Sequence, residues 1–268
     1  MTAAFIGRNG PDVADWLDRT ALPLSERAQS RTNALRLLED LEQAGLRVCV
    51  WHDLESFANL YQKQGWNLAR NLNPRWWPHD SVPERSLLVI AESSDGIAQI
   101  SAMRWIWLDG SLKDMHENGR FFYGDYAGLV TDQVQVRVHA PIADTIGHCA
   151  VVYSCGWRSE DMRGNAFTAR RCVRLAQLLA GINWHFSWLV ARTDRRKAHA
   201  FAEDAFGMSS VEAGIHVRRA DQSVEKEYHL IAGRIDHMRR QFQRPEYGDG
   251  SQSLGGRLPL FGWDSNAS

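Results

Sequence analysis

Hydrophobic and polar positions follow two rhythms along this chain, and the switches between them mark its elements. Leu35, Leu38 and Leu41 recur at helical spacing behind Ser25 and Glu26, which can cap a helix, and Gly45 supplies the stop. Residues 46–51 then alternate as a short strand. Leu54, Phe57, Ala58 and Tyr61 fall on one side of a second helix that Gly65 closes. The runs 87–91 and 97–108, joined by Ser94-Asp95-Gly96, read as a β-hairpin on which Trp105 and Trp107 share a side. Residues 109–145 hold Gly110, Gly119, Gly124, Gly128 and Pro141 and are expected to leave the sheet, with one short strand at 134–139.

The second half reads β-α-β-α-β-β. Residues 148–155 form a strand, and Ala169, Cys172, Val173, Ala176, Leu179 and Ala180 line one side of the helix that follows Gly164 and Asn165. Residues 184–191 are a second apolar strand. Thr193-Asp194 can cap a helix with Ala198, Phe201, Ala202 and Ala205 on one face, and strands near 211–219 and 226–234 close the series. Residues 1–23, with two glycines and two prolines, are an irregular arm, and 66–85, with three prolines and Trp76-Trp77, a long loop. After Arg239 the composition turns to Gly, Ser, Gln and Pro. The expected organisation is therefore an arm (1–23), one domain (24–243) with an excursion at 109–145, and a tail (244–268).

Composition narrows the function classes. The 268 residues carry 31 Lys+Arg against 32 Asp+Glu, net charge -1, and 44% hydrophobic residues. That excludes bulk disorder and gives no global attraction to nucleic acid or to an acidic membrane. Cys49, Cys149, Cys155 and Cys172 form no CxxC pair and sit in apolar stretches, which points to buried thiols in a reducing compartment. No apolar run has the length of a signal peptide or a membrane span, so the cytoplasm is the expected location. The ten histidines form no HExxH or compact ligand set, so no metal is expected. Eleven tryptophans are the unusual feature, expected mostly in the core with a minority able to shape an apolar pocket.

The chemistry concentrates where a strand meets a helix through Arg163-Gly164-Asn165. Backbone N–H groups of a first helical turn and the positive end of the helix dipole converge on one spot, a geometry suited to phosphate. Gly164 and Ala166 allow close approach, Thr168 adds a hydroxyl, and Arg163 or Arg158 a cation.

Residues 146–208 resemble the core of the GCN5-related N-acetyltransferase superfamily. The likeness rests on Arg163-Gly164-Asn165-Ala166-Phe167-Thr168 at a helix start and on a second motif within residues 196–208, with the element order around them. It implies an α/β fold of the α+β kind, with a mixed, mostly antiparallel central sheet flanked by helices. It also implies an acyl-CoA donor, acetyl-CoA or another acyl-CoA. Its pantetheine arm would enter where two central parallel strands splay, and its pyrophosphate would lie on Arg163, Gly164, Asn165, Ala166, Phe167, Thr168 and Ala169. An amine, on a small molecule or a peptide, would attack the thioester. The sequence departs from the family at Ala166, where glycine is usual, and at Thr168, where glycine or alanine is usual. The Tyr that protonates the leaving thiolate would fall at Ala202 or Glu203, so neither alignment recovers it.

Candidate acids and bases are therefore His148, Tyr153 and Tyr228. Strict alternation places His148, Ala150, Val152 and Ser154 on one side of their strand, with Cys149, Val151, Tyr153 and Cys155 on the other. Glu92 and the aromatic-acidic stretch from Phe121 to Tyr126 can hold an amine or merely cover core. Two other readings stay open: a CoA-binding regulator of the same fold with weak catalysis, and an unrelated α/β protein-interaction domain. A homodimer is compatible with all three.

Overall fold

Ala34, Leu37, Leu38 and Leu41 return every three or four residues, so helix α1 (Leu24–Gln43) buries one continuous stripe. Gly45 ends it at φ 78°, where a residue without Cβ is unstrained. Its N–H donates to the Glu42 carbonyl (2.8 Å), and the Leu46 N–H donates to that of Leu41 (3.0 Å). The computed structural model describes residues 13, 17, 24–52, 54–64, 72, 85–124, 127–130, 134–160, 166–194, 199, 202, 207–208, 210–219 and 224–248. After α1 come β1 (Arg47–Trp51), α2 (Leu54–Lys63) and the hairpin β2 (Ser86–Ser93) with β3 (Gly96–Ser111). Ser111 then caps α3 (Leu112–Glu117). Its hydroxyl accepts from the Asp114 N–H and the Asp114 carboxylate accepts from the Ser111 N–H, satisfying two helix-end donors. The segment continues through α4 (Arg120–Tyr123), α5 (Ala127–Val130), β4 (Val134–Val138) and α6 (Ile142–Thr145). The remaining elements are β5 (Gly147–Arg158), α7 (Ala166–Asn183), β6 (Trp188–Asp194), β7 (Ser210–Arg219), β8 (Lys226–Arg234), α8 (Ile235–Phe242) and α9 (Pro245–Gly248).

The eight strands form one mixed sheet in the order β1-β2-β3-β5-β6-β8-β7-β4. Every neighbouring pair is antiparallel except β5 and β6, which the crossover helix α7 connects. Helices flank both faces, giving the α+β architecture expected from the element order. Side-chain alternation divides the core. Val50, Val89, Met103, Val151, Leu189 and Ile231 lie under α1, α7 and α8, and Val13 and Leu17 are buried in the same cluster. On the opposite face α2 packs Phe57, Leu60 and Tyr61 onto Leu88, Ile90, Ile100 and Ala102. The 112–145 helices pack Leu112, Met115, Phe121 and Phe122 onto Ile106, Val152, Val190 and Leu230. Arg104 stands between these two clusters with 0% exposure.

Three sequence expectations change. First, 134–138 does not stay outside the sheet: β4 pairs with β7 from Val134↔Arg219 to Val138↔Ile215 and forms the edge beyond it. The ladder extends by His139 N–H donating to Gly214 carbonyl (2.7 Å), and Gly214 adopts φ 116° at a β7 bulge. Second, the strand drawn at 184–191 runs instead from Trp188 to Asp194. Trp184 and Phe186 are apolar because they fill core before the strand begins, and Thr193 and Asp194, read as a helix cap, are ladder partners of His229 and Tyr228. The helix expected to follow them lies outside the described residues, apart from His199 and Ala202. Third, residues 244–248, assigned to the tail, belong to the packed structure through α9.

The C-terminal elements are clasped to the first helix by one buried amide. Asn33, with no exposed surface, donates from Nδ2 to the carbonyls of Phe242 (2.7 Å) and Arg244 (2.9 Å). Tyr247 continues the clasp: its hydroxyl lies 3.0 Å from Gln177 Oε1, and its ring makes an edge contact with Phe242. Arg171 of α7 is tied to α1 by its Nε to Asp40 Oδ2 (2.6 Å). Replacing Asn33 with Ala removes the donor of two carbonyls more than 200 positions away in sequence. We expect a loss of about 2–3 kcal/mol of stability, read as a lowered midpoint in urea unfolding with an unchanged slope.

Candidate functional site

The central parallel pair is short. β5 and β6 are in register only from Ala150↔Trp188 to Tyr153↔Ala191. Beyond that pair each strand follows its outer neighbour. β5 continues along β3 through Cys155↔Ala102, Gly156↔Ser101, Trp157↔Ile100 and Arg158↔Gln99, while β6 continues along β8 through Arg192↔Leu230 to Asp194↔Tyr228. A wedge therefore opens between the carboxyl ends of β5 and β6, with no ladder between them past Tyr153. Such divergence at the ends of parallel strands is where open α/β sheets accept ligands.

A β-bulge marks the point of departure. Met103 pairs with Tyr153 and Ala102 with Cys155, so Ser154 is the extra residue of β5. It resets the alternation read from sequence: Val151 and Tyr153 face α7, whereas Trp157, two pleats on, packs in the α2 cluster on the other face. Tyr153 is buried, and a Cβ added at Gly156 would collide with its hydroxyl, so the phenol lies back along the bulged segment.

The N-terminal turn of α7 stands at this wedge. Gln99, ladder partner of Arg158, is buried on the α7 face of β3, and its Nε2 lies 3.4 Å from the Ala169 carbonyl. Thr168 and Ser101, both fully buried, complete a polar spot on an otherwise apolar face. The first turn carries no acidic residue to oppose an anion. Ala166 is the first residue of α7, followed by Phe167, and Ala169 is half-buried. Arg163, Gly164 and Asn165 lie outside the described residues.

The three candidate proton-transfer residues occupy separate places. Tyr153 is at the mouth of the wedge on the α7 face. Tyr228 is half-buried on the opposite face, in the cluster under the 112–145 helices. His148 is exposed at the amino end of β5, roughly 16 Å up the strand from Tyr153, in edge contact with Trp107. Its φ of 64° makes it the non-glycine with left-handed backbone among the described residues. Glu92 is half-buried on β2, opposite Arg47 of β1, away from the wedge; burial raises its pKa and the Arg47 charge opposes the rise. Asp125 and Tyr126 lie outside the described residues. Ala202, one of the two positions where the resemblance would place a Tyr, is fully buried in the core beneath α1 and α7, and the other, Glu203, lies outside the described residues.

Sequence reasoning passed over two arginines on the face away from α7. Arg192, the first β6 residue past the last β5–β6 pair, has its guanidinium carbon 4.9 Å from the ring centres of both Phe122 and Tyr228. His116 is buried beside it, stacked on Phe121 at 3.9 Å, with Nδ1 2.8 Å from the Leu112 carbonyl. Burial pushes its pKa down to about 3, and the Arg192 charge adds to the drop. The available signal was parity. Arg104 falls on the row of Ile100, Ala102, Ile106 and Leu108, and Arg192 continues the row of Val190, so both arginines occupy positions that the alternation assigns to apolar residues.

His116 makes the fold sensitive to acid. The unfolded chain takes up a proton near 6.5, but the folded state keeps the ring neutral down to about 3. The unfolded state thus binds more protons throughout that window, and stability falls as pH is lowered through it by up to about 1.4 kcal/mol per unit. In urea titrations at pH 7.0, 5.5 and 4.5, His116→Leu should flatten the decline relative to the native chain. Parallel slopes would assign the acid sensitivity to other groups.

Neither a protein-family model nor a curated protein matches this chain.

Proposed function

We propose that this chain binds an acyl-CoA, acetyl-CoA in the simplest case, and transfers the acyl group to an amine by direct attack on the thioester. The observation that carries the reading is the wedge. A four-pair parallel ladder ends at Tyr153↔Ala191, both strands run on, and a long helix begins at its open end. A pantetheine arm is a chain of amides and needs backbone partners. The edge that β5 turns toward β6 beyond Tyr153 offers N–H and C=O groups to such a chain. The first N–H groups of α7 suit the pyrophosphate. A mixed, mostly antiparallel sheet with its one parallel pair at the centre supports this reading.

In the reaction the amine nitrogen bonds to the thioester carbonyl carbon, the C–S bond breaks, and the amine's proton is lost as the sulfur gains one. Tyr153 is the donor best placed for the thiolate, because its hydroxyl lies beside the bulged segment at the wedge. It touches the reacting sulfur in this reading and supplies the role that Ala202 cannot. The thiols of Cys49, Cys149 and Cys172 fit a reducing, cytoplasmic setting, which is part of the proposal. A CoA-binding protein without turnover is the second reading, favoured by the loss of the usual Tyr at Ala202.

Acetyl-CoA at a hundredfold over its dissociation constant should stabilise the chain by about 2.7 kcal/mol, a rise of roughly 5–10 °C in thermal midpoint. Gly164→Trp should abolish this shift without changing the ligand-free midpoint. Tyr153→Phe should lower the rate of amine-dependent CoA release about 10- to 100-fold while keeping acetyl-CoA affinity within about threefold. A folded chain that acetyl-CoA does not stabilise rejects the proposal. Binding without CoA release from any amine favours the regulatory reading.

A further inference from the structure

One buried titratable group near the wedge has no part in the chemistry so far. His229 lies on β8 with 7% of its surface exposed, and its Nδ1 is buried without a hydrogen-bond partner. A nitrogen left so costs free energy unless a ligand or water completes it. Alternation fixes its face. Ile231, two residues on, belongs to the cluster under α1 and α7, so His229 stands on the α7 face, between Thr193 of β6 and Ala213 of β7. Thr193 is the second residue of β6 past the join, so it lies on the bank of the wedge with His229 directly behind it.

The strand registers bring His229 level with the Tyr153 hydroxyl. Tyr153 pairs with Ala191 across the join, and Thr193 lies two residues beyond Ala191. Along β3, Tyr153 pairs with Met103 and Gly156 with Ser101, so the bulge at Ser154 leaves Gly156 two positions beyond Tyr153 as well. The Tyr153 hydroxyl lies against Gly156. Phenol and imidazole therefore stand on the α7 face at one height, on opposite banks of the wedge. Their strands are two spacings apart, roughly 10 Å before the splay is added.

Acyl transfer to an amine needs two proton movements of opposite sense, one away from the nitrogen and one onto the sulfur. Tyr153 serves the sulfur, and the nitrogen still lacks an acceptor. We propose that His229 is the general base. The neutral amine nitrogen bonds to the thioester carbon, the C–S bond breaks, the proton leaving nitrogen passes to His229 Nδ1, and the sulfur takes the proton of Tyr153. Solvent then removes the proton from the imidazolium and returns one to the phenolate. The residues flanking His229 on β6 and β7, Thr193 and Ala213, carry no charge, and the charged group on its own row of β8 is Glu227, two residues back. The assignment rests on the acyl-transfer reading and adds a catalytic residue to it.

The test uses the full chain with acetyl-CoA and the amine that releases CoA fastest from a panel of primary amines. kcat/KM is measured from pH 5.5 to 8.5 and divided by the fraction of amine that is neutral at each pH, which removes the amine's own titration. In the native chain the corrected value should fall as pH drops through the range where histidine takes up its proton. His229→Gln and His229→Asn should lower kcat about 100-fold or more at pH 8 and leave the corrected profile flat. Both should keep the acetyl-CoA thermal shift, which also reports that they fold. A role in packing alone would lower the ligand-free midpoint and leave the shape of the profile unchanged. A flat corrected profile in the native chain overturns the inference without any variant. So does a folded His229→Gln whose kcat stays within about twofold of native or whose profile keeps the acid limb. These results leave acyl transfer standing. If acetyl-CoA gives no shift and no amine releases CoA, the acyl-transfer reading fails and this inference with it.

Discussion

The join between β5 and β6 is the constraint on which the architecture turns. Four residue pairs connect one half-sheet, β1-β2-β3-β5, to the other, β6-β8-β7-β4. Because each strand leaves the join along its own antiparallel neighbour, the length of this ladder sets the depth of the wedge. A short parallel ladder is weak alone, so the layers above and below must hold it. On one face α7 and α1 span it over Val151, Tyr153, Leu189 and Ala191. On the other, the helices of the excursion bridge it by packing at once on Ile106, Ala150 and Val152 from one half and Val190, Leu230 and Ala232 from the other. The 112–145 segment is thus a structural brace across the join. β4 completes the brace by returning to the far edge of the sheet.

Around the open end of the join the apolar pattern gives way. Gln99, Ser101 and Thr168 are buried on the α7 face, and Arg104 and Arg192 stand on the opposite one. Burying such groups costs free energy that an apolar side chain of similar size would not. Places where local pattern and global fold disagree are where function is expected. Elsewhere the alternation is kept. Val48, Val50, Leu87, Val89 and Ala91 line one face of the first strands, and Cys49, Trp51, Leu88 and Ile90 the other. The tryptophans divide in the same way: Trp51 and Trp184 are core, Trp105, Trp157 and Trp188 are half-buried, and Trp107 is 60% exposed. Among the described residues the tryptophans are therefore spread over both faces rather than gathered into one pocket.

Much of the fold was legible because its cues are local. The stripe of Leu35, Leu38 and Leu41, the glycine at 45, the turn at Ser94-Asp95-Gly96 and the apolar runs of the hairpin each act within a few residues. They placed α1, β1, α2, β2 and β3 to within a few residues of their observed bounds. The start of α7 and the face it buries were legible for the same reason. Boundaries failed where an apolar run had two uses. Trp184 and Phe186 are hydrophobic because they fill core, and only the ladder with β8 tells them apart from the strand that starts at Trp188. At the site, the legible cue was Arg163-Gly164-Asn165 before a helix start, and the resemblance to the acetyltransferase superfamily extended it to residues 163–169. The arginines escaped because charge was read as surface, and only the pairing of β3, β5 and β6 shows on which row each lies.

The sequence by itself determined the kinds of elements and their order, since helix and strand rhythms, caps and turns are written in neighbouring residues. Tertiary structure decided what no neighbour encodes: that β4 pairs with β7 across some 80 positions, that Asn33 closes on Phe242 and Arg244, and that Ser154 is an unpaired bulge reversing the parity of β5. The depth of the wedge belongs to this second group. It depends on two ladders competing for the same strands: β3 draws β5 one way and β8 draws β6 the other. That competition exists only once all four strands are in place.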